Sequence, residues 1–183
     1  MNYKRKGFTL VELLIVIVVI GILSSMMMLS STEAVSSAKA TNIVAGLRNM
    51  KTAALAYYTD NMDFVDTGKK TVDGKDVTFK LEDKEDNDIQ KAIRAYLNNG
   101  DGITGYTVVF GKSKIGGVEN KDKAWFVKYT GIEVNAKAKL ETKSKSLGLL
   151  KAAAFYDSGN DANGQYYVAG TGDTTDTVYM FIR

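Results

Sequence analysis

From Leu13 to Thr32 the chain runs 20 residues without a charge, rich in Leu, Ile, Val and Met. At 1.5 Å per residue such a run spans about 30 Å as a helix, the hydrocarbon thickness of a bilayer. A membrane helix is the physical reading. Lys4, Arg5 and Lys6 stand immediately before it. Cationic flanks stay on the cytoplasmic side, so the expected topology is N-in, C-out. Glu12 lies almost at the start of the same segment. A carboxylate among apolar side chains is unfavourable unless it is protonated, paired or close to the interface, which makes it a candidate functional residue. Snorkelling to headgroup depth, six residues after Lys6, is the structural alternative.

A secretory signal peptide also begins with a basic stretch followed by an apolar one. Two features count against it here. The apolar run exceeds the usual length of about 7–15 residues and no A-x-A-like site follows it, Ser24-Ser25 and Ser30-Ser31 being the nearest small pairs. The second feature is Glu12 itself.

The rest of the composition narrows the chemistry. With no cysteine and no histidine, disulfides, thiolate catalysis and the commonest neutral metal ligand and general base are absent together. No nucleophile and base pair or carboxylate dyad can be assembled, so catalysis has no candidate and no cofactor is expected. Hydrophobic residues at 45% and charged residues at 25% are ordinary for a folded protein. Lys4, Arg5 and Lys6 supply the whole formal excess of +3, so the remainder carries no general electrostatic footprint for nucleic acid.

Gly7-Phe8-Thr9-Leu10-Val11-Glu12, after a short basic leader and before Leu13-Leu14-Ile15-Val16, resembles the class III signal of type IV pilins and pseudopilins. The resemblance implies cleavage between Gly7 and Phe8 on the cytoplasmic side by a prepilin peptidase, followed by N-methylation of the new Phe8 amine. It implies that Leu13 onward is retained. It also implies that Glu12 pairs with the terminal amine of a neighbouring subunit during assembly. Physics makes this reasonable: cutting after Gly7 creates a cation, and a desolvated carboxylate tolerates burial when an opposite charge from another copy meets it in register. Further implied partners are copies of the chain in a helical filament, an inner-membrane assembly platform and its ATPase. The subunit would wait in the cytoplasmic membrane and end in a surface filament.

Past Glu33 the pattern turns amphipathic. Val35, Ala38, Ile43, Leu47, Met50, Ala54 and Tyr57 recur at helical spacing, with Lys39, Arg48 and Lys51 off the stripe. No proline interrupts residues 8–60, which predicts one long helix with Gly21 and Gly46 as soft points. The family often has a proline near Leu29; with none here, unwinding would fall to Gly21 and Ser24-Ser25. Tyr57 and Tyr58 are expected in the core or at its edge.

Beyond Asp60 the chain becomes rich in Gly, Asp, Asn and Lys. Thr71–Phe79 reads as a hairpin around Asp73-Gly74, and Glu85–Leu97 as a short helix stopped by Asn98-Asn99-Gly100. Tyr106–Phe110, Trp125–Tyr129 and Val178–Ile182 read as strands; Leu147–Tyr156 fits a helix or a strand. The expected fold is α+β: a long N-terminal helix, membrane-inserted in its first half, packed through its amphipathic half on an antiparallel sheet. The expected divisions are a leader at 1–7, a membrane and assembly segment at 8–32, an amphipathic segment at 33–60 and a head at 61–183. With no cysteine to pin it, the final strand is the natural staple.

Three weaker signals remain. Residues 157–164 collect oxygen donors, and some pseudopilins hold calcium in a C-terminal loop; a solvated turn is the first reading and a calcium loop of Asp157, Asn160, Asp161 and Asn163 the lesser one, because the spacing is not that of an EF-hand. Gly111–Gly117, G-K-S-K-I-G-G, evokes a phosphate loop but lacks the Walker spacing. Lys137, Lys139, Lys143, Lys145 and Lys151 read as a solvated face before they read as a site for DNA or cell wall. The resulting expectation is a structural filament subunit, not an enzyme. The alternatives are a pseudopilin of a type II secretion system or a DNA-uptake or adhesive minor pilin.

Overall fold

The structure, a computed structural model, describes residues 7–82, 86–97, 103–115, 118–151, 156–157, 165–169 and 176–183. The leader cations Lys4, Arg5 and Lys6, the Asn98-Asn99-Gly100 stop and the donors Asn160, Asp161 and Asn163 lie outside them. Helix α1 runs Leu10–Asp60, as the proline-free pattern predicts, and is continuous through Gly21. The chain divides into two compact units, one ending at Ala38 and one running Lys39–Arg183.

In the first unit, two serine hydroxyls bond within the helix. Ser25 Oγ donates to the Ile22 carbonyl at 2.8 Å and Ser36 Oγ to that of Thr32 at 2.7 Å. Back-bonding of this kind removes the penalty of placing serine in an apolar segment.

The second unit is a helix-on-sheet layer. After α1 come α2 (Met62–Thr67), β1 (Lys69–Val72), β2 (Lys75–Thr78), α3 (Asp88–Arg94), β3 (Tyr106–Ile115) and β4 (Val118–Thr130). They are followed by α4 (Val134–Leu147), β5 (Leu149–Leu150), β6 (Tyr156–Asp157) and β7 (Thr177–Phe181). β1 and β2 form the expected hairpin, with Asp73 and Gly74 both at positive φ as a type I′ turn requires. The main sheet has the order β5-β7-β4-β3-β6. Its pairs are antiparallel except for a two-residue parallel addition of β6 at Ser113 and Lys114. The C-terminal strand is the staple, held between β5 and β4. Gly111–Ile115, the candidate phosphate loop, is the end of β3 and enters a β-hairpin, so the helix that a phosphate loop needs does not follow it.

Ala40, Ile43, Val44, Leu47, Met50, Ala54 and Tyr57 of α1 are buried with Val108, Trp125, Val127, Val178 and Met180 of the sheet. Val35 and Ala38, assigned to this stripe from sequence, are exposed. At 100° per residue Ala38 falls opposite Leu47, and Ala40 and Val44 take the in-phase positions. Tyr58 is half-buried and meets Trp125 edge-on at 5.8 Å. β4 alternates between two cores: Trp125 and Val127 face α1, while Ala124 and Phe126 pack with Leu150 on the other face.

Gly46 is a packing notch, not a soft point. A Cβ built there would lie 2.3 Å from the Tyr106 ring, and the Tyr106 hydroxyl donates to the Ile43 carbonyl at 3.3 Å. Gly46→Ala is therefore expected to destabilise the protein by about 1–3 kcal/mol through overpacking, despite alanine's better helix propensity. Denaturant unfolding followed through Trp125, the only tryptophan, reads this out.

α3 closes part of the β3 edge. Fully buried Gln90 donates through Nε2 to the Val108 carbonyl at 2.6 Å and accepts the Val108 N–H at 3.0 Å. One turn on, the Arg94 guanidinium donates to the carbonyls of Ile103 at 3.0 Å and Tyr106 at 2.7 Å. These side chains stand where the next strand would, protecting an edge that is otherwise open to another chain. α3 is capped by Asn87, whose side chain accepts from Ile89 N at 2.9 Å, and it ends at Arg94, so it is shorter than the predicted segment.

Burial holds two tyrosines in their neutral form. Tyr167 is pushed up to about 12, first by burial and then by Asp176 and Glu141; Tyr106 is raised by burial and by Tyr129. An unfolded tyrosine ionises near pH 10. The stability these groups supply is whole below about pH 10 and is lost as pH climbs from there towards about 12. The midpoint of urea unfolding is expected to hold level to about pH 10 and then fall, with a smaller fall in Tyr167→Phe.

Candidate assembly site

The start of α1 is fixed by a reciprocal cap. Thr9 N–H donates to Glu12 Oε2 at 2.8 Å and the Thr9 hydroxyl donates to the same oxygen at 2.7 Å. Glu12 N–H in turn donates to Thr9 Oγ1 at 3.2 Å. This is a capping box, in which an N-cap threonine and a glutamate three residues on satisfy each other's orphan backbone donors. The carboxylate also faces the positive end of the helix dipole. Sequence reasoning passed over this role although its signal, T-L-V-E ahead of an apolar run, was in plain view.

The cap sets the geometry of the neighbouring residues. Gly7 and Phe8 precede the helix outside any regular element, and among the described residues nothing lies within 4 Å of a Cβ built on Gly7. Cleavage between Gly7 and Phe8 would leave Thr9, Glu12 and their three hydrogen bonds in place, and would set a new amine next to the cap. From Phe8 to Met28 the large apolar side chains whose burial is described are 48–88% exposed. The helix is long and apolar enough to cross a membrane.

Of the other sequence candidates, Lys137, Lys139, Lys143 and Lys145 lie on α4, a helix that sequence reading missed. Ala136, Leu140 and Ser144 form its narrow buried stripe, and the lysines flank it. Lys137 pairs with Asp176, so the run is partly a structural clamp. Lys151 is exposed. Asp157 is in β6, with the remaining loop donors outside the described residues. Among the described residues no group of three or more His, Cys, Asp or Glu is placed to hold a metal ion.

Residues 2–28 match the family model for the prokaryotic N-terminal methylation motif. No curated protein and no solved structure matches the chain. The matched segment covers the basic leader, the Gly7–Phe8 junction, the Thr9–Glu12 cap and the first turns of the exposed apolar helix. By it the chain carries the prokaryotic N-terminal methylation motif, the type IV prepilin-like signal.

Proposed function

We infer that this chain is a structural subunit of a type IV pilus-like filament. In this reading a prepilin peptidase cuts between Gly7 and Phe8 and methylates the Phe8 amine. The subunit waits in the cytoplasmic membrane with its N-terminus inside, and an assembly platform driven by an external ATPase moves it into the filament. The observation that carries the reading is the methylation motif at residues 2–28 running without a break into a helix whose apolar side chains stay exposed. Apolar surface of that extent needs lipid before assembly and the helices of other copies after it.

Glu12 is the residue on which register depends. Extracting a helix from lipid into a bundle is close to neutral for its apolar side chains, since lipid is as apolar as leucine. A carboxylate that meets its counter-charge only in one axial position adds the discrimination that apolar contacts lack. The capping box holds that carboxylate at the helix tip, beside the place where the amine would appear.

Mass spectrometry of sheared surface filaments tests the reading. The expected result is this chain as a filament component beginning at a methylated Phe8. A chain found only as a membrane monomer starting at Met1, or one cut near Ser31, overturns it.

A further inference from the structure

Within the unit from Lys39 onward, α1 has different neighbours on its two flanks. On the side of α4 and β7 there is a groove of about 490 Å³, lined by Arg48, Lys51, Leu55, Leu147, Met180 and Phe181 among others. Its walls are largely apolar, and its two charged lining residues are both cations. Lys51 Nζ is anchored to the Phe181 carbonyl at 2.9 Å, while Arg48 is exposed.

On the opposite side, where α3 guards β3, the surface carries three exposed carboxylates and, on α3, the exposed Lys91. Asp60, Asp86 and Asp88 are exposed. Tyr96 is 40% exposed, donates its hydroxyl to Asp60 at 2.8 Å and rests edge-on against Tyr57. The sheet order β5-β7-β4-β3-β6 keeps β7 and the guarded edge of β3 apart with β4 between them, so the two surfaces lie toward opposite edges of the sheet.

We propose that these surfaces mate between copies of this chain, Tyr96 and Asp60 of one copy seating on the Arg48–Lys51 groove of the next. The proposal rests on the filament reading above. A half-exposed aromatic ring held ready by its own hydrogen bond is a low-entropy anchor, and a carboxylate beside it meets the only charges that the groove presents. Because the mating surfaces differ, the contact is heterologous, and copies can repeat it along a filament where its rotation does not close a ring. Arg48 and Asp60 are 12 positions apart on α1, so this seating offsets neighbours by roughly 18 Å along the helix.

Charge reversal and cross-linking in the full chain test it. Arg48→Glu and Asp60→Lys are each expected to lower the yield of sheared filaments by about tenfold, one large contact's worth, and the two together to restore it. Restoration by the second change separates a lost contact from a misfolded head. Because the chain has no cysteine, Thr52→Cys and Ala95→Cys on one chain should give, on oxidation of filaments, a ladder of dimers, trimers and higher species. Each single cysteine should stay monomeric. Filaments at normal yield in both charge variants, no ladder, or a dimer from one cysteine alone overturns the contact and leaves the filament reading standing. Absence of wild-type filaments overturns both.

Discussion

Glu12→Gln is expected to cut the yield of filaments by at least about tenfold in cells that make no wild-type subunit, while the helix start stays intact. Glutamine is the other residue that completes a capping box, so its side-chain oxygen takes over the bonds from Thr9 and only the charge is lost. Glu12→Leu removes both cap and charge and is expected to be at least as defective. Thr9→Ala removes the hydroxyl, keeps the carboxylate and is expected to assemble at a reduced rate. Filament yield and length, read beside membrane levels of each subunit, separate the two roles. If Glu12→Gln assembles like wild type while Glu12→Leu does not, the carboxylate works as a cap and the pairing with Phe8 is wrong.

The second large effect lies in the head. Gln90→Leu keeps the size of a fully buried side chain but leaves the Val108 N–H and carbonyl without the partners that they have at 3.0 and 2.6 Å. Each buried, unsatisfied backbone group costs about 1–3 kcal/mol, so a loss of roughly 2–6 kcal/mol is expected, a large part of the stability of a domain this size. Urea unfolding monitored at Trp125 measures it. The exposed β3 edge should also make the variant prone to strand-to-strand association, seen as salt-independent sedimentation of the detergent-solubilised protein. Full stability in Gln90→Leu would mean that water replaces the amide and that the edge needs no guard.

What sequence disclosed and what it hid follow from physical range. The long helix, the Asp73-Gly74 hairpin and the three strands with consecutive β-branched or aromatic residues were legible because their signals are local and periodic. α4 was not, since two of its three buried positions are Ala136 and Ser144, and a stripe that small leaves no hydrophobic period to detect. The edge guard of Gln90 and Arg94 was invisible for a different reason. A glutamine and an arginine on a polar helix acquire meaning only when a strand 18 residues away from Gln90 brings its unpaired backbone to them. Gly46 shows the converse: a residue type with a strong local reputation for weakness serves a distant ring. At the candidate assembly site the motif is legible, but the capping box between Thr9 and Glu12 is a local role that neither the pairing nor the snorkelling reading includes.

The place of β7 has a temporal consequence. An interior strand of the sheet is drawn from residues 177–181, after every other strand has left the ribosome, and its pairing with β4 spans about fifty residues of chain. Contacts of such separation form late. Until residue 181 has been delivered, β4 is open along one side and β5 lacks its pairing with β7, so the nascent head stays unfinished. A stalled or nicked chain lacking residues 177–181 would present that open side of β4 to proteases, an inspection step written into strand order.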